Sequence, residues 1–232
     1  MAALTAGGGV GTGVPLPVLV IHARPGWAEE VRDLLPGSHI ALFAEDENAG
    51  IEGRLLGLEL RDTILLLRSG PKAGLVFVFR VPLMEGTVAA QVLSTGTGGI
   101  NTNACRVGSS NGRWPSNVTL VHGKTCTNIG SRTVPTSMGV RGSDEGNLKY
   151  GGGKGLRRPN HGQIVGYGDE DGMETVESWE CEPDCPAQLL SAFGEVSRFY
   201  PQFADEGLLV AWITRLLRAP QSVGQSVGVE RG

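Results

Sequence analysis

Four residues carry the densest chemistry in this sequence. His122 and Cys126 stand in an H-x3-C spacing within HGKTC, and Cys181 and Cys185 stand in a C-x3-C spacing within WECEPDC. Each half can place two soft or borderline ligands on one side of a tight turn, and two halves complete a tetrahedron. Four N/S ligands with no open position are what a structural zinc ion requires. The residues also admit a plainer reading, in which Cys126 is a buried thiol and Cys181 and Cys185 flank a bare turn. With zinc, the stretch from Thr127 to Glu180 becomes one loop tied at its base. That stretch is rich in glycine and poor in apolar residues, so burial alone orders it weakly. A metal clamp supplies the missing free energy. His22, His39 and His161 have no comparable partners and read as ordinary histidines, and Cys105 reads as a small buried hydrophobe.

A second set of residues suits nucleic acid. Arg113, Trp114 and Asn117, in NGRWPSN, offer a guanidinium, a stacking ring and an amide within one turn. Arg132, Arg141, Lys149, Lys154, Arg157 and Arg158 follow, opposed between positions 132 and 158 only by Asp144 and Glu145. A local basic stretch on a chain of net charge -4 is compatible with phosphate contact. It is equally compatible with a solvated loop. Trp114 reads first as a core anchor of this region and second as a base-stacking ring.

These residues need a scaffold, and the remaining sequence supplies one. Val18–Ile21, His39–Ala44, Leu58–Leu67 and Leu75–Val81 are apolar, partly β-branched runs of strand length. Helical patterns separate them, over Trp27–Leu35, where Pro36-Gly37 stops the helix, and near Gly50–Leu56. This alternation predicts an α/β sheet, at least partly parallel. The short link Ser69-Gly70-Pro71-Lys72 leaves open an antiparallel hairpin between the third and fourth strands. Thr87–Leu93 suits one short helix and Val118–Val121 one further strand; Pro186–Phe193 begins another helix. Asp205–Leu217 is the best helix: Leu208, Leu209, Trp212, Ile213, Leu216 and Leu217 make its apolar face, and Asp205 caps it.

The domain reading is therefore a glycine-rich tail at 1–14, an α/β core at 15–100, and a loop-rich insert at 101–185 with few strands. A helical segment at 186–218 and a disordered tail at 219–232, with its repeated QSVG, complete the chain. The 36 glycines among 232 residues are about twice the usual share, which favours long loops around a modest core. Gly7–Gly13 precedes a strong strand rather than following one and reads as a linker. No apolar run reaches membrane-spanning length, and the first residues lack the basic and apolar regions of a signal peptide. The expected compartment is the cytoplasm, where four cysteines are more often thiols or metal ligands than disulfides.

Several stretches together carry a family likeness: WAEEVRDLLPGSHIALFA, LELRDTILLL, EGTVAAQVLSTGTGGINTNACRVG, NGRWPSNVTLVHG, HGKTC, GYGDEDGMETVESWECEPDCPAQLL and VSRFYPQF. From about Trp27 to Leu217 the chain resembles the site-specific DNA N-methyltransferases of phages and prophages, of the adenine-N6 or cytosine-N4 class. The resemblance implies a partial methyltransferase-like, Rossmann-like sheet, with the insert as target-recognition region and the His122/Cys126/Cys181/Cys185 set as its zinc clamp. It also exposes two departures. The family grips an extruded base with an Asp/Asn/Ser-Pro-Pro-aromatic tetrapeptide, whose place is held here by Ala23-Arg24-Pro25-Gly26. That tetrapeptide supplies the amine acceptors and the stacking ring. The family's glycine-rich S-adenosylmethionine turn, expected after Leu208–Leu217, is replaced by Ala219-Pro220-Gln221.

The resemblance thus implies no catalytic and no cofactor-binding residue in this chain. The first expectation is a zinc-stabilised module that recognises double-stranded DNA in a bacterial host cell without autonomous methyl transfer. The second is a methyltransferase subunit completed by another chain, which supplies S-adenosylmethionine binding; the partners expected are that second subunit or further copies in a homo-oligomer. The third is a scaffold re-used as a structural or assembly protein of the virion.

Overall fold

The computed structural model describes residues 17–70, 73–108, 113–135, 173–194 and 196–219. The terminal tails, Gly7–Gly13, His161 and the basic residues Arg141, Lys149, Lys154, Arg157 and Arg158 lie outside them.

The core is one six-stranded sheet. Its strands are β1 (Val18–His22), β2 (His39–Ala44), β3 (Glu59–Arg68), β4 (Gly74–Arg80), β5 (Val118–Val121) and β8 (Gln202–Phe203), in the order β1-β2-β4-β3-β5-β8. β1 runs parallel to β2, β3 to β5 and β5 to β8, whereas β4 is antiparallel to both β2 and β3. The hairpin alternative for β3 and β4 is therefore the one realised, as their short connection requires. The expected α/β sheet is present and mostly parallel, with β4 reversed.

Side-chain alternation splits the sheet into two faces. Ile40, Leu42, Phe77 and Phe79 pack with Ile21, Trp27 and Val31 on one face. This face is covered by α1 (Trp27–Glu30) and α2 (Asn48–Leu55), joined by Trp27 Nε1 donating to Glu52 at 2.8 Å. Gly50 and Gly53 let α2 lie against the Phe77 and Phe79 rings, since a Cβ at either position would overlap a ring. Ala41, Phe43, Val76 and Val78 point the other way, onto α5 (Glu206–Leu217). Asp205 caps α5 by accepting from the Leu208 amide at 2.9 Å.

Three expectations are corrected. The helix from Trp27 shrinks to one turn: Gly26 in left-handed conformation gives it no side-chain cap, and Pro36 disfavours helix at Leu35. Leu208 belongs to the outer side of α5, at 52% exposure, and Val210 takes its place in the core. The insert is not strand-poor, because β6 (Thr127–Pro135) and β7 (Met173–Glu180) pair antiparallel as a separate two-stranded ribbon. In addition, β5, drawn from the stretch assigned to the insert, is an interior strand of the main sheet.

α3 (Val88–Thr95) is capped by Thr87, whose hydroxyl accepts from the Ala90 amide. α4 (Pro186–Ser191) opens with proline at its first position, where a missing N–H costs nothing. α4 packs beside β5 with Leu120, Cys185 and Ala187 in a third small core. Among the described residues no helix is long and apolar enough to cross a membrane.

Candidate metal centre

His122 directly follows β5. Strand alternation sends Val121 towards α5 and both Leu120 and His122 towards α4. The backbone fixes this position: the His122 amide donates to the Phe203 carbonyl at 2.9 Å. The chain then turns, with the Cys126 amide donating to the Gly123 carbonyl at 3.1 Å. The second pair repeats the device, the Cys185 amide donating to the Glu182 carbonyl at 3.0 Å. Two like turns thus face one another, one leading into β6 and the other linking β7 to α4.

The ligand atoms of His122, Cys126, Cys181 and Cys185 all lie within 4.8 Å of one another, a group that could hold a metal ion. His122 Nδ1 is 3.4 Å from Cys181 Sγ and 3.5 Å from Cys185 Sγ. A tetrahedral ion with bonds of about 2.3 Å to sulfur and about 2.0 Å to nitrogen sets N···S edges of roughly 3.5 Å, so the donors fit. His122 and Cys185 are buried, and Cys126 and Cys181 half-buried. Leu67, Val118, Leu190 and Tyr200 complete the apolar surround. Burial, and then the adjacent Cys185 and Cys126 sulfurs, push the Cys181 thiol well above the ordinary cysteine range. A cation reverses that balance by stabilising thiolates.

Residues that the spacing does not reveal complete the centre. The His122 ring stacks on Trp179 with centroids 3.8 Å apart and planes 16° apart, and its Nε2 lies 3.1 Å from Gln202 Oε1. Glu182 bridges the two turns by accepting from the Thr125 hydroxyl. The hydrogen bond from Thr125 holds the Glu182 carboxyl below the usual range. Trp179 stood in the WECEPDC run, but nothing local marked Gln202, which arrives on β8. Cys105 is buried against α5, and His39 is buried on β2 beside its cross-strand neighbour Arg80. His22 is exposed and packs on Phe43.

The nucleic-acid candidates fall into distinct positions. Arg113 makes a two-pronged ion pair with the fully buried Glu174 of β7, and its guanidinium lies over Phe199. Its guanidinium therefore ties the loop that carries Trp114 to β7. Trp114 is 58% exposed with the Arg106 guanidinium over its ring, so it is not the core anchor that its size suggests. Asn117 and Arg132 are exposed, the latter on β6. Two cavities of ≈ 480 and ≈ 350 Å³ lie between the ribbon and the body, with Arg198 and Gln202 on the wall they share.

Comparison with protein-family models, with curated proteins and with solved structures finds no match to this chain.

Proposed function

We propose that this protein is a zinc-clamped DNA-recognition module related to the DNA N-methyltransferases. The observation that carries the reading is the four-donor cluster at the base of an exposed two-stranded ribbon. β6 is exposed at every position but Val134, so its own burial cannot fix the ribbon's direction. A closed Cys3His ion can, and such sites are structural rather than catalytic.

A two-stranded ribbon is one of the elements that the DNA major groove admits. In the chain, β6 and β7 are joined by the segment containing Arg141, Lys149, Lys154, Arg157 and Arg158. The exposed positions of the ribbon itself include Glu177 and Glu180 as well as Arg132, so phosphate attraction is assigned mainly to that joining segment. Trp114, held beside the far end of β7 by the Arg113–Glu174 pair, supplies a ring for a base.

The test is binding of the metal-replete protein to a mixed-sequence duplex across a salt series. Affinity should fall steeply with salt, weaken on chelation, and show a shallower slope when the five basic residues of the joining segment become glutamine. Absence of binding at low salt sinks the reading.

A second reading, in which another chain completes a methyltransferase, draws on the sheet itself. β1 is a terminal strand with a parallel neighbour, and among the described residues its outer edge pairs with nothing. An edge strand presents a row of N–H and C=O groups that a strand of another chain can pair with. Co-expression with a chain that binds S-adenosylmethionine would give a stable complex under this reading, and two separate species otherwise.

A further inference from the structure

The metal reading leaves open which histidine nitrogen binds and what holds the ring in that state. An imidazole offers two nitrogens, and a neutral ring has a proton on one of them. Only the unprotonated nitrogen can take a metal. The hydrogen-bond chain beyond His122 resolves the choice. Gln202 Nε2 donates to the Ser197 carbonyl at 3.0 Å, and a carbonyl can only accept. The Gln202 amide is therefore oriented with its nitrogen towards Ser197, and its Oε1, an acceptor, towards His122 Nε2 at 3.1 Å. A good bond there requires a proton on Nε2. Nδ1, the nitrogen facing Cys181 and Cys185, is then the one with its lone pair free.

We propose that Gln202 is the positioning residue of the metal centre, setting the His122 tautomer and ring orientation so that Nδ1 faces the thiolates. The inference rests on the zinc reading above. Two further contacts agree with it. The ring plane is set by stacking on Trp179, which leaves the in-plane orientation and the tautomer to a hydrogen bond. Ser197 is itself buried, with its hydroxyl 2.7 Å from that of Ser191 at the end of α4. The amide is thus anchored to the segment that follows Cys185. Outer-shell partners of this kind typically change metal affinity by about 10- to 100-fold when lost.

The experiment uses the full chain loaded with zinc, and with cadmium-113 for spectroscopy. In the unaltered protein, one-bond coupling should join cadmium to His122 Nδ1, and the Nε2 proton should exchange slowly with solvent. Zinc competition against a chromophoric chelator should show Gln202→Leu binding roughly 10- to 100-fold more weakly, with faster Nε2–H exchange in whatever fraction remains loaded. Coupling through Nε2 in the unaltered protein overturns the proposal without any variant. So does a Gln202→Leu protein that binds zinc as tightly as the parent. Failure of the unaltered protein to take up zinc overturns the zinc centre itself, which is a different result from either.

Discussion

Gly123 and Glu182 occupy each other's space: a Cβ added at Gly123 would overlap the Glu182 carboxylate, which bonds to Thr125 in the same turn. The two turns that carry the four candidate ligands are thus joined by a side chain, and only glycine permits the approach.

This relationship makes the two positions coupled. Gly123→Ala should lower both the urea midpoint and the zinc affinity, because the methyl group displaces Glu182 from Thr125. Glu182→Ala should lower them as well. The double variant should resemble Glu182→Ala alone, since the clash has gone with the carboxylate. Residues in contact give non-additive cycles. Simple addition of the two losses would show that Gly123 acts through some other neighbour.

The Arg113–Glu174 pair joins the loop before β5 to the far end of the ribbon. Glu174 is fully buried, so removing either partner alone leaves an uncompensated charge. Arg113→Ala and Glu174→Ala should each cost about 3–5 kcal/mol, whereas Arg113→Met with Glu174→Leu should be near neutral. Urea unfolding of the three proteins checks this. Single variants close to the parent in stability would mean that the charges reach solvent.

Trp114 gives the cleanest test of the DNA surface, because its exposure separates binding from folding. Trp114→Ala should change stability by no more than about 0.5 kcal/mol. A ring that stacks on a base contributes about 1–3 kcal/mol, so duplex or single-strand affinity should fall roughly tenfold to a hundredfold. Unchanged affinity would remove Trp114 from the interface.

How far the sequence speaks depends on whether the cause is local. The pairing of His122 with Cys126, and of Cys181 with Cys185, was legible because ligand spacing is a property of a single turn. β2 and the Asp205 cap were legible because a continuous apolar run and a carboxylate before a helix are local signals too. The β6–β7 ribbon was not. Its first strand, TNIGSRTVP, is solvent-exposed almost throughout, so it shows no alternation, and its order comes from a partner about forty to fifty residues away in sequence. Gln202 and Glu174 were silent for the same reason: each matters through a residue brought to it by the fold. Trp114 misled because large rings are usually buried, and here a guanidinium covers one face instead.

His39 predicts an acid-sensitive core. Burial, and then the adjacent Arg80, lower its pKa from 6.5 to about 4, against a backbone hydrogen bond with Leu217 that favours the charged form. The unfolded chain therefore binds more protons than the folded one between those values. Stability from neutral His39 is fully present above about pH 6.5 and is lost as pH falls towards 4, by roughly 3 kcal/mol at most. The urea midpoint of the parent should fall over that window more steeply than that of His39→Gln. Taking the difference between the two cancels the acid lability of every other group they share. Parallel pH curves would mean that His39 titrates alike in the folded and unfolded chain.

Metal removal should loosen the ribbon unevenly. Its near end is tied by Cys126 and Cys181, which flank β6 and β7, whereas its far end is tied by Arg113 to Glu174 and by Arg198 donating to the Pro135 carbonyl at 3.1 Å. The main sheet has its own two apolar faces and no need of the ion. Chelation followed by hydrogen exchange should therefore strip protection first from Asn128–Ser131 and Glu177–Glu180. Arg132–Val134 and Glu174–Val176 should lose less, and β2 and β4 almost nothing, since local opening reflects local contacts. Loss of protection throughout the sheet would make the ion part of the global fold. Unchanged exchange at the near end would show that the ribbon is held without it.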